Sequence, residues 1–237
     1  MLRIRAVIFD CYGTLVDIQT NEGKDEIFAY LSLYLHYYGA EINTATLKSL
    51  FHAEKEHYLN TRQERYPEFD IEVVLKKILQ MRGLNNPFLA ESCCKIFRLV
   101  SRDRFQLFPD SLPALRELKS RGFLLSMLSN AQNVFFYQEI DMLGLRQFFR
   151  YFVVSSYWGF RKPDPRIFYL ACSLFNVMPG EAVYIGDDAG VDIKGARSIG
   201  MRTVLIDREQ RQKTQEPKPD YYTTDLRKAA EWIKENG

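Results

Sequence analysis

Hydrophobic positions along this chain fall into two rhythms. Near-continuous apolar runs at Ala6–Phe9, Phe123–Leu128, Tyr151–Ser155, Ala182–Ile185 and Arg202–Ile206 read as strands buried on both faces. Between the later runs the spacing becomes helical. Asp110 and Ser111 precede Pro113, and that pattern stops at the basic, glycine-terminated Lys119-Ser120-Arg121-Gly122. Pro163–Phe175 and Ala189–Ile199 continue the alternation. Strands alternating with helices predict βαβ units and a doubly wound, Rossmann-like parallel sheet, an α/β fold. After Asp207 the polar stretch REQRQKTQEPKPD reads as a surface loop before a last short strand and helix.

Between about Ile18 and Phe105 the strand signal vanishes. Ile71, Val74, Leu75, Ile78 and Leu79 make one apolar helical stripe that Gly83 ends, and Asn86-Pro87 opens another. Asp25–Tyr38 is apolar on most faces, which predicts a helix sandwiched between neighbours. The expected organisation is a core of residues 1–17 and 106–237 with an all-helical cap, 18–105, inserted after the first strand.

Composition removes several function classes. The 237 residues carry a net charge of only +2 with acids and bases interleaved, which argues against a dedicated nucleic-acid or membrane-surface protein. No apolar run reaches membrane-span length. The four cysteines form neither a disulfide framework nor a metal knuckle, so a reducing, cytoplasmic setting is expected. All three histidines, His36, His52 and His57, precede residue 60 and serve no G-x-S-x-G turn, which disfavours Ser-His-Asp hydrolysis.

The candidate chemistry lies where strands end, the edge at which open α/β sheets place ligands. Asp10 ends the first run in VIFDCYGTLVD, and Ser129-Asn130 end the second. Lys162 lies beyond the third, and Asp187, Asp188 and Asp192 follow the fourth. Strand alternation points Asp10 and Tyr12 the same way and turns Cys11 to the core. Each motif alone has a bland reading as a turn or helix cap; four in order at successive strand ends do not. Carboxylates converging near one lysine would be forced to protonate unless a cation joined them. Hard oxygens without histidine or cysteine suit Mg2+.

Asp10-Cys11-Tyr12-Gly13-Thr14, Ser129, Lys162 and Gly186-Asp187-Asp188 resemble the four motifs of the haloacid dehalogenase-like hydrolases. That resemblance implies Asp10 as nucleophile through a covalent aspartyl intermediate, with Ser129 and Lys162 holding the substrate anion and Thr14 and Asn130 beside them. In the phosphatase branch it implies Mg2+ on Asp10, the backbone carbonyl of Tyr12 and Asp187, with Asp188 and Asp192 behind them. Tyr12 stands where those phosphatases carry an aspartate acid/base, a loss that typically costs about 10²–10⁴ in rate. The 2-haloacid dehalogenases carry an Asp-x-Tyr-Gly-Thr motif like this one, because halide leaves without a proton. Their fourth motif is Ser-Ser-Asn and they use no metal, whereas here Asp187-Asp188-Ala189 stands in its place.

The fourth motif rebuilds the electrostatics of the site while Tyr12 removes one catalytic step, so a Mg2+-dependent phosphatase of a small phosphorylated metabolite is favoured. The alternatives are a metal-independent 2-haloacid dehalogenase and a catalytically weakened binding protein. In the cap, His52, His57, Tyr58 and Arg62 are candidates for substrate selection, as are Tyr157, Trp158 and Phe160 beside Lys162. The aromatic runs Phe135–Gln138 and Gln147–Val154 read as core, with a cap interface or homodimer contact as the other use.

Overall fold

The computed structural model describes residues 2–210, 212 and 216–237. From the N-terminus the chain forms β1 (Ala6–Phe9), β2 (Val16–Thr20), α1 (Asp25–Tyr37), α2 (Thr44–Asn60), α3 (Ile71–Met81) and α4 (Pro87–Ser101). It continues through β3 (Arg102–Leu107), α5 (Ser111–Ser120), β4 (Leu124–Ser129), α6 (Asn133–Met142), β5 (Tyr151–Val154), α7 (Ser155–Trp158) and α8 (Pro165–Ser173). β6 (Ala182–Gly186), α9 (Lys194–Ser198), β7 (Arg202–Ile206), β8 (Tyr221–Thr223) and α10 (Leu226–Asn236) complete it. Within the tail REQRQKTQEPKPD, positions 211 and 213–215 lie outside the described residues, and the expected last strand and helix follow.

The main sheet has the order β5-β4-β1-β6-β7-β8, with every pairing parallel. Its strands read as unbroken apolar runs because both faces are covered. Val7 and Phe9 enter a core shared with Leu115 of α5, Phe136 of α6 and Ile233 of α10. Ala6 and Ile8, pointing the other way, pack with Ile167 and Phe168 of α8 and Ala196 of α9. This is the expected α/β doubly wound architecture. The Ala189–Ile199 helix differs in one respect: residues 189–193 wind as a π turn before α9 begins. There the N–H of Ile193 reaches the carbonyl of Asp188.

Helices α1–α4 bury their own apolar cluster, including Phe28, Phe51, Leu75, Ile78 and Phe97, which also takes in Phe135 of α6. Two expectations fail here. The insertion is not all-helical: β2 and β3 pair antiparallel, from Val16 opposite Leu107 to Thr20 opposite Arg102, so the chain leaves and re-enters the core through one ribbon. Its strands are half-exposed and rich in charge, which hid them from a search for apolar runs. Nor is α1 sandwiched. Ile27, Phe28, Leu31 and Leu35 are buried, while Tyr30, Leu33 and Tyr37 face solvent. Periodicity also did not single out α2, where only Leu47 and Phe51 are buried. Among the described residues no helix is long and apolar enough to cross a membrane.

Candidate active site

Because β1 lies between β4 and β6, the connections leave it in opposite directions and open a crevice at its carboxyl end, the switch point of a doubly wound sheet. Asp10 sits there, held by its N–H to the Ile185 carbonyl at 2.8 Å. Ser129 ends β4, and Asp187 follows β6. Lys162 reaches in from the loop before α8. Its ammonium is buried and donates to Asp10 Oδ1 at 2.8 Å, Asp192 Oδ1 at 2.6 Å and the Tyr184 hydroxyl at 2.8 Å. Burial alone would lower its pKa, but Asp10 and Asp192 outweigh burial and hold it raised. All three of its N–H donors are committed, so in this geometry Lys162 neutralises and fixes Asp10.

The turn after Asp10 is shaped by Gly13, which has φ +82° and whose Cβ, if it had one, would overlap the Asp187 carboxylate. Thr14 Oγ1 donates to Asp187 Oδ1 at 3.2 Å, so the first motif packs directly on the fourth. Carboxylate oxygens of Asp10, Asp187 and Asp192 lie within 4.8 Å of one another. Burial, then the charges of Asp10 and Asp192, push Asp187 up to about 8; burial also raises Asp192. Three crowded carboxylates facing one lysine fit a hard divalent cation. Asp192 already accepts from Lys162 and from the N–H groups of Asp187 and Asp188, at 3.1 Å each, which leaves Asp10 and Asp187 as the freer ligands.

Several expected site residues do other work. Asp188 does not join the cluster; it is exposed and caps the π turn by accepting from the Val191 N–H at 2.9 Å. Asn130 clamps the Lys162 backbone, its Oδ1 accepting from that N–H at 2.9 Å and its Nδ2 donating to that carbonyl at 3.2 Å. The Ser129 side chain is buried, and its hydroxyl has no hydrogen bond among the described residues, so it is open to a substrate oxygen. Cys11 is core, as expected. Tyr157 and Trp158 face solvent, and Phe160 packs under the Arg166 guanidinium, 4.2 Å from its ring. None of His52, His57, Tyr58 and Arg62 lines the cleft between helical insertion and sheet; Lys55 of α2 does.

Tyr12 does not aim its hydroxyl at Asp10. It donates to Glu139 Oε2 of α6 at 2.6 Å. The same carboxylate accepts from Arg98 of α4 through Nε at 2.7 Å and Nη2 at 2.9 Å, and from Arg102 at the start of β3 at 3.4 Å. Burial, followed by the nearby Cys11 and Glu139, raises the Tyr12 pKa well above the usual phenol range. The phenol is therefore no proton donor for a leaving group.

Two participants escaped sequence reasoning. Tyr184 lies in β6, and its hydroxyl holds Lys162 while donating to the Leu128 carbonyl at 2.9 Å. A tyrosine inside the buried run AVYIG was its one available signal, since a buried hydroxyl needs a partner. Glu139 is the other: a carboxylate in a mostly apolar helix segment.

The family profile of the haloacid dehalogenase-like hydrolases matches residues 4–200. The chain belongs to that family and is a hydrolase. It is 36% identical over 126 residues to a phosphoserine phosphatase of Thermus thermophilus, a match covering 53% of this chain and about half, 51%, of that relative. It is 27% identical over 234 residues to an N-acylneuraminate-9-phosphatase of Mus musculus, covering 94% and 91% of the two chains. With an (S)-2-haloacid dehalogenase of a Pseudomonas species it shares 30% identity over 209 residues, covering 86% and 85%.

Proposed function

We propose that this hydrolase is a magnesium-dependent phosphatase of a small phosphorylated metabolite. Its catalytic core is residues 1–17 and 106–237, and 18–105 is the cap over its cleft. One observation carries the reading: Asp10, Asp187 and Asp192 crowd together against a single lysine. Asp10, Asp187 and the Tyr12 carbonyl are the proposed ligands of the metal. Bound there, Mg2+ supplies the positive charge that lets the carboxylates stay ionised and draws in a phosphate dianion.

Ser129 then holds a phosphate oxygen, and Lys162, donating to Asp10 Oδ1, keeps that carboxylate aimed. A carboxylate oxygen of Asp10 attacks phosphorus, and the ester oxygen departs with its bonding pair, leaving an acyl phosphate on Asp10. Water next breaks that phosphorus–oxygen bond, which frees phosphate and restores the carboxylate. No residue takes the place of the missing acid in this scheme, so esters with weakly basic leaving groups are the favoured substrates.

The similarity to an (S)-2-haloacid dehalogenase and the committed hydroxyl of Tyr12 support a second reading, halide displacement by the same Asp10. Hydrolysis of p-nitrophenyl phosphate with magnesium and with a chelator, against Asp10→Asn, separates the two. Magnesium-dependent turnover lost in the variant supports the phosphatase. No phosphate release, with Asp10-dependent halide release from 2-chloropropionate, overturns it.

A further inference from the structure

The cleft between helical insertion and sheet encloses about 350 Å³. Tyr12 and Asn130 are in its lining, two residues after Asp10 and one after Ser129, which sets the cleft beside Asp10; an ester whose phosphorus sits at Asp10 would extend its leaving group into this space. The walls include Ile18, Phe69, Ile71 and Phe135, an apolar surface suited to a ring or hydrocarbon body.

The polar groups of the lining are largely spent on the protein itself. Asn130 holds the Lys162 backbone; Gln132 accepts from the Ile71 N–H at 2.8 Å and donates to the Phe69 carbonyl at 2.9 Å. Arg98 is paired with Glu139. Glu68 is buried and accepts from the Ser155 hydroxyl at 2.9 Å and the Phe69 N–H at 3.2 Å. Two cations remain. Lys55 lies over the Phe69 ring at 4.3 Å, and Arg161 is exposed beyond β5; neither forms an ion pair among the described residues. They come from different elements, α2 and the loop before α8. Against them stand the turned-in Glu68 and the exposed Glu22 at the rim, so the cationic excess is small and suits a monoanion better than a dianion.

We propose that Lys55 and Arg161 form a carboxylate subsite, and that the natural substrate is a phosphate ester whose leaving group carries a carboxylate. This rests on the phosphatase reading. Lys55 from the cap and Arg161 from the core would grip the far end of one ligand, which makes carboxylate recognition depend on the closed cleft.

The test compares 4-carboxyphenyl phosphate with phenyl phosphate in the purified full chain with magnesium. The carboxylated phenol is a slightly weaker base, so the carboxylate's own effect is read from how the ratio of kcat/KM values changes in the two variants, where leaving-group basicity cancels. The ratio should exceed about tenfold in the unmodified protein, the effect of one partly screened charge-assisted contact or two. It should fall several-fold, through KM for the carboxylated ester, in Lys55→Gln and again in Arg161→Gln. A ratio near one, or a ratio that survives both substitutions, overturns the subsite while leaving the phosphatase standing. A larger preference for 1,4-phenylene bisphosphate than for the carboxylated ester also overturns it, in favour of a dianion. Absence of Asp10-dependent turnover of every ester overturns the phosphatase reading and the subsite with it.

Discussion

Replacing Glu139 with leucine tests the claim that one buried carboxylate ties the helical insertion to the core. Its side chain is 4% exposed, and those of Arg98 and Arg102 are 13% and 21% exposed. The substitution removes the bidentate contact to Arg98, the weaker one to Arg102 and the acceptor of the Tyr12 hydroxyl. Breaking a buried pair by deleting one partner typically costs about 3–5 kcal/mol, because the other charge stays in place without compensation. Water reaches both arginines in part, which favours the lower end, about 3 kcal/mol. For a chain of this size that lowers Tm by roughly 6–12 °C.

Urea unfolding followed by far-UV circular dichroism, with thermal melts alongside, measures the loss. Arg98→Met added to Glu139→Leu should recover at least about 1 kcal/mol, since the stranded guanidinium is then gone. A loss below about 1 kcal/mol for Glu139→Leu alone is what an exposed ion pair gives and would refute the reasoning. Strict additivity in the double variant would refute it equally.

Three further outcomes are expected. Gly13→Ala should lower kcat/KM for p-nitrophenyl phosphate by at least about 10²-fold, because its Cβ displaces the Asp187 carboxylate and small misplacements at a site have effects of that size; near-normal kinetics would sink the claimed contact. Tyr184→Phe should cost about 1–2 kcal/mol in urea unfolding through loss of the Lys162 and Leu128 hydrogen bonds, a cost absent if that hydroxyl is idle. Tyr12→Asp should raise turnover of alkyl phosphates by about tenfold or more, since a positioned acid restores leaving-group protonation. An unchanged or lower rate counts against the role assigned to position 12.

The strands of the main sheet were legible because each is buried on both faces, so its identity is written locally in an apolar run such as Ala6–Phe9. The ribbon β2–β3 was not, because its half-exposed strands alternate charge with apolar residues and are defined by each other across a long sequence gap. The same division holds in the site. Asp10, Lys162 and Asp192 fall on strand ends or just beyond, and the structure brings them into direct contact. The resemblance implies Asn130 beside the substrate anion and Asp188 behind the metal ligands, yet a side chain at a strand end has neighbouring backbone groups to satisfy first.

Tyr12 shows where local reading ends. Alternation along an extended segment points its side chain the same way as that of Asp10, and the family resemblance makes it the place of a missing acid. The structure gives its hydroxyl a partner 127 residues away, on α6, and that partner is held in turn by arginines from α4 and β3. A motif cannot announce such a contact, since nothing near residue 12 encodes the position of residue 139. The consequence is chemical as well as structural. A phenol donating at 2.6 Å to a carboxylate has no proton to offer a departing alkoxide, and any motion lifting α4 from α6 must part Arg98 from the carboxylate on which Tyr12 rests. The turn that follows Asp10 and the seating of the helical insertion thus share one anion. The residue that stands where the resemblance implies an acid therefore also fastens the insertion to the turn that follows Asp10.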